Sequence, residues 1–139
     1  YIIDYTEAKS AIQELKSKLL EQLEANDIFG NEKDESFIGI LSSIIATFDG
    51  AYLYPTIEEQ AAHLLYFIIK DHPFTDGNKR IGAFLFIWFL EKNRHRFRDN
   101  GDVKINEAGL TTLALLIAQS DPREKESMVK LVVNLINKG

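Results

Sequence analysis

The chain has 139 residues, of which 45% are hydrophobic and 27% charged, with a formal net charge of -5. This is the size and balance of one ordinary folded domain, long enough to bury a substantial core. The acidic balance argues against a nucleic-acid coat of Lys and Arg, the absence of cysteine excludes disulfides and thiolate metal sites, and the longest apolar run, Ile81 to Leu90, is too short to span a bilayer.

In chain order, Thr6 is placed to cap a helix running to about Ala25, since Ala8, Ile12, Leu15, Leu19 and Leu23 recur at helical spacing. Asn26-Asp27 and Gly30-Asn31 break it. A second helix is expected from Asp34 to about Phe48. Asp49-Gly50 is a turn dipeptide, and Tyr52 and Tyr54 favour extended backbone, so residues 49–55 form either a short hairpin flap or a plain loop. Thr56 to Glu59 is a capping box. The helix it opens is apolar on most sides and should be central. His63, inside it, has no ligand spacing around it and is expected to be structural.

That helix stops near Asp71, because Pro73 disfavours helical geometry at His72. A helix from Asn78 to about Asn93 is apolar almost all round and is expected to be buried, its aromatics serving packing. The basic run Lys92 to Arg98 suits a solvated helix end. Asn100-Gly101 is a turn, Asn106 caps a helix to about Ala118, and Asp121-Pro122 opens the last one. The fold class is all-α: about six helices with a short flap before the central one. The chain begins at Tyr1, its only methionine is Met128, and it is expected to be the excised part of a longer protein.

The stretch His72-Pro73-Phe74-Thr75-Asp76-Gly77-Asn78-Lys79-Arg80 is the densest in reactive groups. Asn78 begins a helix, so free N–H groups and the positive dipole end face the preceding loop. Gly77 lets a ligand approach the backbone closely. Together they form an anion cradle. Arg80 can hold a phosphate bidentately. Asp76 is a hard carboxylate suited to Mg²⁺ bridging phosphates. His72 can take a proton at neutral pH. Each group also has a bland explanation: a turn residue, a helix cap, a helix stop, a surface ion pair. Jointly they point to hydroxyl attack on a nucleotide phosphate.

These residues resemble the Fic/Doc family signature, His-x-Phe-x-(Asp/Glu)-Gly-Asn-x-Arg: His72, Phe74, Asp76, Gly77, Asn78 and Arg80 match. The resemblance is read over about residues 35–120, within a single Fic/Doc domain spanning 1–139. It implies the Fic fold and transfer of AMP from ATP, with Mg²⁺, to a Ser, Thr or Tyr hydroxyl of a target protein. It makes His72 the general base, Asp76 the Mg²⁺ ligand, Gly77 and Asn78 part of the anion hole, and Arg80 the phosphate clamp, with Phe74 anchoring the loop. The flap, including Gly50, Ala51, Tyr52 and Leu53, would align the target backbone by strand-like pairing.

Two positions depart from the adenylylating pattern. Lys79 stands where Gly is common, and Ala83 where a second Arg is common. Both resemble the Doc branch, which implies transfer of the γ-phosphate by a kinase toxin, although Doc-type motifs often carry Ala where this chain has Gly77. A lysine adds a point charge for phosphate, while a lost arginine removes a bidentate clamp. The third reading is a non-catalytic module binding nucleotide or protein. The family's inhibitory motif, (Ser/Thr)-x-x-x-Glu-(Gly/Asn), is missing, because no Glu is followed by Gly or Asn. Inhibition is therefore expected from an N-terminal region or a separate antitoxin. The expected setting is a cytoplasm, bacterial in origin, with secretion as an effector left open; neither nucleic acid nor membrane is an expected partner.

Overall fold

The computed structural model describes residues 1–137. Among them, six α-helices and one two-stranded sheet follow in the order α1 (Tyr5–Glu21), α2 (Ser36–Ile44), β1 (Thr47–Phe48), β2 (Ala51–Tyr52), α3 (Ile57–Asp71), α4 (Asn78–Lys92), α5 (Glu107–Gln119) and α6 (Lys125–Ile136), with a 3-10 turn over Pro122–Glu124 before α6. This is the all-α arrangement expected. No helix among the described residues is long and apolar enough to cross a membrane.

α3 is the axis. α2, α4, α5 and α6 all pack on it, and its residues Ala61, Ala62, Leu64, Leu65 and Ile68 are fully buried. Gly82 of α4 lies against α3: a Cβ there would meet Ile69 at 3.2 Å and Ile68 at 3.4 Å, so the glycine permits the two helices to approach closely. α3 is capped by Thr56, whose hydroxyl accepts from Glu59 N–H at 3.1 Å and donates to the Glu59 carboxylate at 2.9 Å. The carboxylate thus meets the capping hydroxyl itself, not the backbone.

Several boundaries differ from the periodicity reading. The cap of α1 is Asp4, two residues before Thr6, because the Asp4 carboxylate accepts from Glu7 N–H at 3.0 Å. The helix ends at Glu21, not Ala25, and Leu23 already has φ 57. α2 stops at Ile44 rather than Phe48. Asp49 and Gly50 both take positive φ (53 and 79), the geometry of a two-residue hairpin turn, and pair Phe48 with Ala51 and Thr47 with Tyr52. That pairing removes Thr47 and Phe48 from the helix and leaves Phe48 71% exposed. At the last helix, Asp121 and Glu124 form a capping box around the 3-10 turn, so α6 itself starts only at Lys125.

α4 is not buried all round. Ile81, Leu85, Phe86, Phe89 and Leu90 are inside, but Phe84, Ile87 and Trp88 are only half-buried. With Ala83, Leu110, Ala114 and Leu115 they line a groove of about 530 Å³ between α4 and α5.

Candidate functional site

The loop from His72 to Gly77 joins the two core helices and is bounded by two left-handed residues. His72 caps α3 at φ 51, ψ 58, and Gly77 precedes α4 at φ 88, ψ 16. Between them Phe74 turns inward. It is buried, and its ring packs on Phe37 of α2 with centroids 4.9 Å apart. The Asn78 side chain closes the loop from the other end: its Oδ1 accepts from Phe74 N–H at 2.9 Å and its Nδ2 donates to Phe74 O at 2.8 Å. The Asn78 amide is therefore committed to loop geometry, and what it offers an anion is its backbone at the first turn of α4.

A second segment holds the loop from outside. Gly30 N–H donates to Asp76 O at 3.1 Å, Thr75 N–H to Asn31 O at 2.7 Å, and Lys33 N–H to Pro73 O at 3.0 Å. α1 supports this clamp in turn. Lys16 Nζ donates to Asn31 Oδ1 at 2.9 Å, and the Tyr5 hydroxyl donates to the Glu32 carboxylate at 2.6 Å. Phe29, 2% exposed, fills the space beside Gly77: a Cβ on Gly77 would lie 2.3 Å from the Phe29 ring. The space freed by the absent Cβ is thus taken by Phe29, not left for a ligand, and the positive φ independently demands glycine.

The polar groups face outwards. His72, Thr75, Asp76, Lys79 and Arg80 are exposed, Gly77 and Asn78 half-buried, and together with Phe29 and Glu24 they line a pocket of about 490 Å³. The Arg80 guanidinium donates to the Glu24 carbonyl at 3.1 Å and lies 5.8 Å from the Phe29 ring centroid. The pocket therefore collects an imidazole, a carboxylate, two cations and a helix N-terminus, a set suited to a phosphate and a nearby proton acceptor. Among the described residues no group of three His, Cys, Asp or Glu could cage a metal. A single carboxylate, Asp76, nevertheless suits a Mg²⁺ ion of the kind that is bound through one or two carboxylates together with substrate phosphates. Lys79 and Arg80 also line the apolar groove between α4 and α5, as does Ala83, so groove and pocket are neighbours on α4.

Gly50, Ala51, Tyr52 and Leu53 lie in the exposed hairpin, separate from the residues lining this pocket. The hairpin closes with a bond from Leu53 N–H to Ala46 O at 2.9 Å. Behind it, Tyr54 stacks on His63 at 3.7 Å between centroids, and the buried Gln60 side chain donates to Tyr54 O at 2.9 Å. His63 Nδ1 lies 2.7 Å from Glu59 O, and burial holds the imidazole below its ordinary pKa, with Lys125 adding to that and the Glu59 carbonyl opposing it.

Sequence reading missed the 26–33 clamp. Its breakers, Asn26-Asp27 and Gly30-Asn31, read only as loop; the signal was the apolar pair Ile28-Phe29 set between them. It also missed the groove, since a run of apolar residues on α4 does not say which face another helix covers.

The model of the Fic/DOC family matches residues 6–90. The matched span takes in α1 and the clamp as well as the loop. No curated protein and no solved structure matches the chain.

Proposed function

The chain belongs to the Fic/DOC family, and from that premise we propose that it is a protein adenylyltransferase, moving AMP from ATP to a hydroxyl side chain of a target protein. The observation that carries the reading is the convergence of His72, Asp76, Lys79, Arg80 and the first turn of α4 on one pocket. A pocket meant only for binding needs cations and amides, but it has no use for a proton acceptor beside them.

In this reading the triphosphate lies against the backbone N–H groups of α4, with Arg80 and Lys79 neutralising its charge. Asp76 would hold a Mg²⁺ ion, which would supply further charge neutralisation at the phosphates. His72 accepts the proton of the target hydroxyl as its oxygen attacks the α-phosphorus. The new bond is between that oxygen and phosphorus. The bond that breaks joins the α-phosphorus to the bridging oxygen, and pyrophosphate leaves carrying the electron pair. Little of the catalysis is covalent. The protein contributes positioning and preorganised charge, which is how phosphoryl-transfer sites in general work. The hairpin from Thr47 to Leu53, with free strand edges and Gly50 at its tip, is assigned to align the target segment by backbone pairing. The reaction draws on a cytoplasmic ATP pool, and control by an N-terminal region or separate antitoxin belongs to the same proposal.

A second reading, transfer of the γ-phosphate, is favoured by Lys79 and Ala83. Ala83 lines the apolar groove next to the pocket, so at that point of α4 the triphosphate meets no second guanidinium. The two readings differ in which phosphorus lies opposite His72.

The test incubates the protein with Mg²⁺, cell lysate and ATP labelled at either the α or the γ phosphate, beside His72→Ala. His72-dependent label from the α position is the expected result. Label from the γ position alone replaces adenylylation by phosphorylation. No His72-dependent label from either position overturns both.

A further inference from the structure

Arg80 is an exposed side chain with many rotamers, and a free guanidinium loses much of that freedom when it grips a phosphate. Here part of the loss has already been met. The guanidinium is tethered to the Glu24 carbonyl at 3.1 Å and lies over the Phe29 ring at 5.8 Å from its centroid. Phe29 itself is closely packed. It is 2% exposed, it stands where a Gly77 Cβ would be, and the next residue, Gly30, is bonded through its N–H to Asp76 O. One ring therefore meets both anion-holding parts of the pocket: the turn that opens α4, and the arginine one turn further on. Both lie in the same pocket lining as Phe29.

We propose that Phe29 is a positioning residue of the phosphate cradle, its ring face presenting the Arg80 guanidinium to a nucleotide phosphate; this rests on the nucleotide-transfer reading above. Phe29 touches no reacting atom and acts through Arg80. A cation held over an aromatic face at an exposed site gains modestly, enough to change phosphate affinity by about two- to five-fold when the face is removed.

The test is a double-mutant cycle read by calorimetric binding of MgATP. Phe29→Leu keeps an apolar side chain but removes the ring face, and Phe29→Met, a flexible thioether, is a second such variant. Thermal unfolding of each variant identifies those that fold. The expected result is weaker MgATP binding by about two- to five-fold in Phe29→Leu or Phe29→Met, and no further weakening when either is added to Arg80→Ala. Equal weakening in the presence and absence of Arg80 shows that Phe29 only shapes the loop and overturns the proposal. So does unchanged binding in the single variants. If the unaltered protein binds no MgATP, the nucleotide reading falls and takes this inference with it; if it binds and only the cycle fails, that reading stands and this one does not.

Discussion

The loop proposed to carry the chemistry and the hairpin proposed to dock the target sit on either side of α3 in sequence and are built in opposite ways. The loop over residues 72–77 is irregular backbone yet is tied down at several points: Phe74 is buried, Asn78 bonds the Phe74 backbone twice, and three backbone bonds tie it to residues 30–33. The hairpin is regular structure, but every residue from Thr47 to Leu53 is exposed, Phe48 and Leu53 at 71% and 52%. Regular backbone and dense tertiary packing are thus separate properties here. A site that must present charge to a phosphate gains from being fixed before the substrate arrives. An edge that must pair with a foreign chain gains from remaining unpaired.

That contrast can be broken most forcefully at Phe74. Phe74→Ala leaves a cavity against Phe37 and should cost about 3–5 kcal/mol of stability, read by denaturant unfolding, with the 72–77 loop losing its shape. A loop variant as stable as the original would mean that the clamp, not the buried ring, fixes the site. Asn78→Ala should cost about 1–3 kcal/mol, because it strips partners from the Phe74 N–H and carbonyl. Amide hydrogen exchange at Phe74 should rise at the same time, and unchanged protection there would show that the ring closure is dispensable.

The anchor of the hairpin offers a pH-dependent comparison. Burial depresses the His63 pKa in the folded state relative to the unfolded chain. The unfolded state therefore binds the proton more readily. The stability contributed by neutral His63 is fully present above its ordinary value of about 6.5 and is lost as pH falls from there through the folded-state pKa. Urea midpoints at pH 7.5 and pH 5 should show the loss, and His63→Phe should flatten that part of the profile. The smallest stability effect belongs to the hairpin tip. Phe48→Ser should change stability by no more than about 0.5 kcal/mol, while target labelling falls and MgATP binding stays unchanged. Equal labelling by this variant would detach the hairpin from target docking.

How much was legible follows from what is local. The stop at His72, the helix start at Asn78, the capping of α3 by Thr56 and the Asp49-Gly50 turn all depend on residues within a few positions of one another. They could be read because capping and turn chemistry act over that range. The candidate pocket residues could be read as a group because they fall within the single stretch from His72 to Arg80. Boundaries failed where two local signals competed: the apolar pattern ran on through Phe48, and the turn dipeptide beyond it won by pairing Thr47 and Phe48 as a strand.

The helical class, the central helix and the loop dense in polar groups were set by the sequence alone, since each follows from periodicity, capping or a contiguous motif. Tertiary structure alone decided what surrounds that loop. Phe29 lies far from Gly77 in the chain, and only folding sets its ring where a Cβ would be and beneath Arg80. The same is true of the face of α4 left open beside α5, with Phe84 and Trp88 half-covered. An apolar pattern states that a surface tends to leave water, but it does not say which other surface will meet it. Partner choice rests on shape and packing between segments distant in sequence, and no short-range rule encodes that.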